Sequence, residues 1–405
     1  MKGYYLHIKV MSIAKTEIRM RVLAFCVALI VSSASIARAA DPLEINLILP
    51  LSGVGAFVGA EQQQAAKAAQ SAINATGGIN GRPVSLVISD DQSNPQVAVQ
   101  LIQGMRAKHV PLILGPSWAA SCGAALALND TDGPVTYCLS NAIRPQPGSY
   151  VFSGLFSTND MLIASMRYFR SRGLKRVAYI VANDATGQDA ERAIENALAQ
   201  PENKDVVVVD REHFATTDLN VAAQMSKIKA ANPQVLIAWA AGTPGGTLLH
   251  GAYDAGLDIP TLTSPANLNF QQLKETWAAF LPTHLVFPGS VAAVPAAASG
   301  RAWASMVSLF TKSLGPGVKP DQVYASGWDP IMIAFEALRK LGPDPTATQV
   351  RDRIAQMKNF YGVYGVYDFA TFPQRGLSAS SVIMVAWDKT TSNWSPVSRP
   401  GGAAL

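Results

Sequence analysis

Cysteine and histidine are scarce in this chain, at three and five residues out of 405. Cys26 sits in an N-terminal apolar run, so only Cys122 and Cys138 belong to the body of the sequence. That pair lacks C-x-x-C spacing, and His109, His213, His250 and His284 are scattered, which argues against a metal site. No G-x-x-x-x-G-K-[ST] loop is present, so a nucleotide is not held through a P-loop, and there is no G-x-S-x-G elbow. Gly53, Gly55 and Gly59 follow a strand but at G-x-G-x-x-x-G spacing, one residue longer than the dinucleotide fingerprint, although Asp90 and Asp91 end the next strand. These gaps leave no reason to expect an enzyme or a cofactor.

Charge is low as well, at 15% Asp, Glu, Lys and Arg. The excess of 33 bases over 28 acids sits at the N-terminus. Residues 1–39 hold six of the bases and one of the acids, which leaves 27 of each beyond them. A neutral body gives no footing for nucleic acid or an anionic membrane surface.

The N-terminal stretch reads as an export signal. Lys2, Lys9, Lys15, Arg19 and Arg21 precede an apolar run over 22–31, and Ala37-Arg38-Ala39 fits the small-residue cleavage pattern. The run is short for a spanning helix. Residues 1–39 are therefore expected to be a cleaved signal peptide, with the protein exported. An exported compartment permits a disulfide between Cys122 and Cys138. The other reading is two buried thiols, and the sequence leaves both open.

Beyond the leader, hydrophobic periodicity alternates strand and helix. Strands are expected over 45–49, 84–89, 112–114 and 134–138, separated by helices over 61–74, 95–108 and 121–129. A second series runs from 176, with strands over 176–181, 206–209 and 235–239 and helices over 187–199, 218–231 and 245–256. Two such series imply two parallel sheets with helices on both faces, hence an α/β chain of two Rossmann-like lobes. A third section holds a strand over 285–290, helices over 297–314, 324–341 and 346–357, and β-like runs over 361–369 and 382–387.

Small and polar residues recur at strand ends, where open α/β sheets bind ligands. Gly115 to Ser121, Leu139 to Ala142, Gly242 to Gly246 and Ser264 to Asn267 each offer backbone N–H groups with a hydroxyl or amide. Each Ser or Thr taken alone reads as a helix cap. Four such loops together favour a ligand cleft, and Phe57 and Trp118 are placed to wall it.

Several of these segments carry a family likeness. They are Leu51-Ser52-Gly53 to Gly59, Asn74 to Gly81, Asp90-Asp91-Gln92, Gly115-Pro116 with Ser121, Asp254-Ala255-Gly256 and Gly327-Trp328-Asp329. With these, the chain resembles the periplasmic substrate-binding proteins of branched-chain amino acid-type ABC transporters, which have the type I periplasmic binding fold. The resemblance implies three chain crossings between lobes. One lobe would take 41–156 with 290–360, and the other 157–289 with 361–405. It implies a monomeric receptor, without cofactor or catalysis, that hands a small amino acid, carboxylate or amide to a membrane permease; the alternative is an exported ligand-sensing module of the same fold. It places a ligand carboxylate at Ser117, Trp118, Ala119, Ser121, Ser140 and Asn141. Phe57 would line the first-lobe wall, and Asp160, Thr243 and Asn267 would contribute from the second lobe. The Phe-Arg pair frequent in the family is Phe152-Ser153 here, and the loop 264–267 lacks the acid that some amino acid binders set against the ammonium.

Overall fold

The computed structural model describes residues 41–129 and 131–405. The expected signal peptide lies outside the described residues. Among them no helix is long and apolar enough to cross a membrane.

The first sheet begins with β1 (Leu43–Leu49), whose last three residues are all buried. It feeds α1 (Ala56–Asn74), then β2 (Val84–Asp90), α2 (Pro95–Ala107), β3 (Leu112–Leu114), α3 (Ala119–Asn129), β4 (Val135–Cys138) and β5 (Val151–Ser153). These five strands lie in the order β2-β1-β3-β4-β5, all parallel. Both faces are covered, so β3, β4 and β5 read as continuous buried runs rather than alternating ones. β5 lies outside the strands expected from the sequence. Cys122 and Cys138 are joined by a disulfide, with Cα atoms 5.9 Å apart, and pack with Ile48, Ile102 and Ile113 on one face of this sheet.

The second sheet starts after α4 (Thr158–Ser171) with β6 (Arg176–Ala182). It continues through α5 (Ala185–Leu198), β7 (Val207–Phe214), α6 (Ala222–Ala230), β8 (Val235–Trp239), α7 (Thr243–Asp254), β9 (Thr261–Thr263) and β10 (Leu285–Gly289). The chain then leaves this sheet for α8 (Arg301–Ser313), α9 (Gln322–Arg339) and α10 (Ala347–Ala355), and α8 and α9 pack against α1. After the short hairpin β11 (Phe360–Tyr361) and β12 (Val366–Tyr367), it returns with β13 (Ile383–Asp388) and β14 (Asn393–Pro396). The order is β14-β13-β10-β9-β8-β6-β7. β13 and β14 are antiparallel, so this sheet is mixed rather than purely parallel. The change of direction is at β13, which runs antiparallel to β10; β14 follows it through the tight turn Lys389 to Ser392, and a hairpin can only be antiparallel.

Buried polar groups tie the three passages between the sheets to one another. Asp329, on α9, accepts the N–H groups of Val363 and Tyr364, each at 2.8 Å, and the hydroxyl of Tyr367 at 2.9 Å. The same hydroxyl lies 2.5 Å from the carbonyl of Gly154, in the first passage. Ser290, in the second passage, donates to the carbonyl of Val363 at 3.1 Å. The guanidinium of Arg375 reaches Ser153 Oγ at 3.0 Å and the carbonyls of Leu155 and Ile143 at 2.7 and 2.6 Å.

Candidate functional site

The carboxyl ends of both sheets face a common cavity of about 60 Å³. From the first sheet come the loop after β3 with Ser117, Trp118 and Ala119, and the loop after β4 with Leu139, Ser140 and Asn141. From the second come Thr186 at the start of α5, Ala241 after β8, and Ser264 to Ala266 after β9. Leu155, Phe156 and Tyr364 belong to the passages between the sheets, and Gln322, Val323 and Ser326 to the first turns of α9.

Tight backbone geometry aims the loop after β3. Gly115 has φ +90°, and a Cβ there would fall 2.0 Å from the carbonyl oxygen of Ile48, so only glycine fits between β3 and this loop. Asp90 fixes the neighbouring loop by accepting the N–H of Leu51 at 2.8 Å and the hydroxyl of Ser52 at 2.7 Å. Its slight burial works against ionisation, but these donors and the N–H of Gln92 outweigh it and hold its pKa below the usual value. Asp90 thus clamps a loop where a dinucleotide reading would put a ribose-binding acid.

The wall nearest α9 is a hydrogen-bonded chain. Ser117 donates to Gln62 Oε1 at 2.5 Å, Gln62 donates to Ser326 at 2.8 Å, and Ser326 donates to the carbonyl of Val323 at 2.7 Å. α9 approaches α1 closely enough for this because residue 327 is glycine; a Cβ there would lie 2.7 Å from the backbone of Gln62. Asn141 donates to Thr158 Oγ1 at 2.8 Å, and Tyr364 to the carbonyl of Gln322 at 3.1 Å. Gln322 is 1% exposed, and its amide meets the hydroxyl of Ser290 at 2.9 Å. No charged side chain lines the cavity among the described residues.

This geometry resembles known proteins throughout its length. Residues 42–391 match the periplasmic binding protein family. The chain belongs to that family. It is 27% identical over 237 residues to the leucine-, isoleucine-, valine-, threonine- and alanine-binding protein of Pseudomonas aeruginosa, a match covering 58% of this chain and 63% of that one. It is 24% identical over 228 residues to a Leu/Ile/Val-binding protein homolog of Brucella melitensis, covering 54% and 60%. The matched stretches thus span somewhat under two thirds of those relatives. Among solved structures, a type 1 periplasmic binding protein from Bordetella pertussis superposes with a TM-score of 0.75 at 22% identity, covering 89% of this chain and 100% of that one. The branched-chain amino acid transporter substrate-binding protein LivJ of Streptococcus pneumoniae, solved with isoleucine, gives 0.70 at 18% identity, covering 87% and 97%. At those identities the likeness is one of fold.

Of the residues singled out from the sequence, Ser117, Trp118, Ala119, Ser140 and Asn141 line the cavity. Phe57 and Thr243 meet instead in a separate depression, which they share with Glu61, Gln64, Asn269 and Tyr324. Phe57 is also not in a loop: α1 starts at Ala56, five residues earlier than periodicity suggested. Three assignments are corrected. Ser121 is fully buried inside α3, against the carboxyl of Asp91. Asp160 completes a capping box with Ser157 at the start of α4 and accepts the N–H of Ala379 at 3.0 Å. Asn267, fully buried, donates to the carbonyl of Ala240 at 2.8 Å and Thr263 Oγ1 at 3.0 Å and accepts the N–H of Gly242 at 3.1 Å, so it braces the loops after β8 and β9. Ser264 lines the cavity as part of an expected cleft loop, while Gln62, Thr186, Gln322, Ser326 and Tyr364 line it and lie outside the sequence expectations. A cue existed for Gln322 and Ser326: two polar residues at i, i+4 just past the capping Asp321 of a largely apolar helix.

Proposed function

We propose that this protein is the extracytoplasmic solute receptor of an ABC importer. It traps one small solute in the cavity between its sheets and presents it to a membrane permease, without chemical conversion. In this reading, one lobe comprises residues 41–156 and 290–360 and the other 157–289 and 361–405. The protein acts as a periplasmic monomer, and hinge motion occurs at the three passages. The solute contacts are Ser117, Trp118, Ala119, Ser140 and Asn141, with Gln62, Gln322 and Ser326 added to them.

The carrying observation is that loops from the carboxyl ends of both sheets line one cavity, the position where open α/β sheets bind ligands. Its small size supports closure around the solute, since a cavity that holds benzene is about 150 Å³; a larger solute requires the lobes to part. The test is a titration calorimetry and X-ray scattering series with candidate solutes. One solute per chain, a smaller radius of gyration on binding and an unchanged solute afterwards support the receptor. A converted solute, or binding with no change in shape, contradicts it.

A further inference from the structure

Resting on the receptor reading, we propose that Glu61 and Asp321 form a proton-operated latch: the cleft closes more readily as pH falls, because closing takes up a proton that the two carboxyls share. Both acids stand on the side of the first sheet. Glu61 is on α1 and Asp321 caps α9, which packs against α1. Their outside partners come from the second sheet. The Nδ2 of Asn269, in the loop after β9, donates to Glu61 at 2.6 Å, and the N–H of Phe270 donates to Asp321 at 3.0 Å. The Asn269 amide is fixed in this sense, because its Oδ1 accepts the N–H of Gln272 at 2.7 Å. The ring of Phe270 packs edge-on against Trp387 of β13, with centroids 5.8 Å apart. These two bonds therefore tie one lobe to the other, and parting the lobes breaks them.

Closing costs these acids their water and returns only two neutral donors. Neither carboxyl is in an ion pair among the described residues. The charged and titratable groups around them are turned to other partners. Lys274 and Lys319 lie over the ring of Phe270, 5.6 and 4.4 Å from its centroid. Glu275 is bonded to Gln271, and the hydroxyls of Tyr324 and Tyr364 go to Gln64 and to the carbonyl of Gln322. Glu61 Oε2 is buried without a partner. A hydrogen bond between the two carboxyls satisfies the pair, and it requires one of them to be protonated. With the lobes apart, water reaches both acids, and they ionise near the ordinary carboxyl value of about 4. In the closed form burial raises both, Asp321 to about 7. The closed form thus holds more protons than the open one in that interval, so linkage favours closing as pH falls.

Spin labels on Lys67→Cys of α1 and Asn196→Cys of α5, both exposed helix positions, report the separation of the lobes by pulsed electron resonance. The native cysteines are bridged and stay unlabelled. The ratio of closed to open chains is expected to rise about threefold or more from pH 8 to pH 5. Asp329, at the passages, titrates near 6 as well, so the share of the latch is the part that Asp321→Asn removes. Asp321→Asn keeps the cap acceptor and is expected to cut the pH response to about half or less. Glu61→Gln, which keeps an acceptor for Asn269, is expected to do the same and serves if the first variant does not fold. No pH response in the wild type, or a full response in the variants, overturns the latch. A separation that changes with a solute shown by calorimetry to bind, but not with pH, leaves the receptor reading standing. A separation that changes with neither removes both.

Discussion

The Nδ2 of Asn269, which follows β9 of the second sheet, donates at 2.6 Å to the carboxyl of Glu61 on α1 of the first. The N–H of Phe270 next to it reaches Asp321, the cap of α9, at 3.0 Å. Two carboxyl groups on one side of the cleft therefore receive donors from the other side. They also face each other; Asp321 is fully buried and Glu61 half-buried. Burial first, and mutual repulsion second, hold Glu61 well above the usual carboxyl range; burial carries Asp321 to about 7 against the donors it accepts. One proton shared by the pair relieves the repulsion.

A pH dependence follows. Carboxyl groups raised in the folded protein bind more protons than in the unfolded chain, so their contribution is fully present below about pH 4. It is lost as pH rises through about 7. Thermal melting between pH 5 and 8 should show stability falling with pH over that window. Asp321→Asn, which keeps the cap acceptor and removes the second acid, should flatten the slope. An unchanged slope in Asp321→Asn rejects the shared proton.

Asp329 predicts a loss of stability. It accepts three buried donors and is itself fully buried, which raises its pKa to about 6 against the pull of those donors. Asp329→Ala orphans the N–H groups of Val363 and Tyr364, while the hydroxyl of Tyr367 keeps the carbonyl of Gly154, at a cost of about 2 kcal/mol or more. Asp329→Asn retains one acceptor and should cost less. Chemical denaturation of both variants checks the order.

The disulfide predicts a coupling between oxidation and binding. Cys122 lies in the first turn of α3, behind Ser117 to Ala119, and Cys138 directly precedes the Leu139 to Asn141 loop. The bridge therefore pins two cavity loops to each other. Replacing both cysteines by serine should cost about 3 kcal/mol of stability, from the closed loop of 16 residues' separation. It should also weaken solute binding, read by calorimetry at a temperature where the variant is folded.

Trp118 is half-buried, with its ring against Gly55 and close to Gly242 of the other wall. Trp118→Ala should lower solute affinity at least tenfold, because the ring walls the cavity. It should change stability little, because the side chain is not part of either sheet's core. Calorimetry and thermal melting on one sample separate the two effects.

The sequence carried the scaffold further than the site. Continuous apolar runs at β3 and β8, set between amphipathic helices, specify buried parallel strands, and the Gly115 to Ala119 and Leu139 to Asn141 loops follow from their position at strand ends. The Gln62 to Gln64 run shows the limit. Three identical side chains stand in a row, and only Gln62 is buried, because α9 reaches it from 264 residues away at Ser326. Asn267 shows the converse. Its position in a strand-end loop looked like a ligand contact, but three bonds to backbone and Thr263 consume its amide. Local spacing locates such loops; it does not say which of their polar groups are already satisfied by partners distant in sequence.

A thermal-shift comparison tests the central claim, that the cavity between the sheets is the solute site. The wild-type chain and the double variant Ser117→Ala, Gln322→Leu are heated with a solute that calorimetry shows to bind the wild type, over a concentration series. Binding to the folded state alone raises Tm in proportion to the logarithm of ligand excess. A concentration-dependent rise of several degrees is expected in the wild type and little or none in the variant. An equal rise in both would place the solute elsewhere and contradict it.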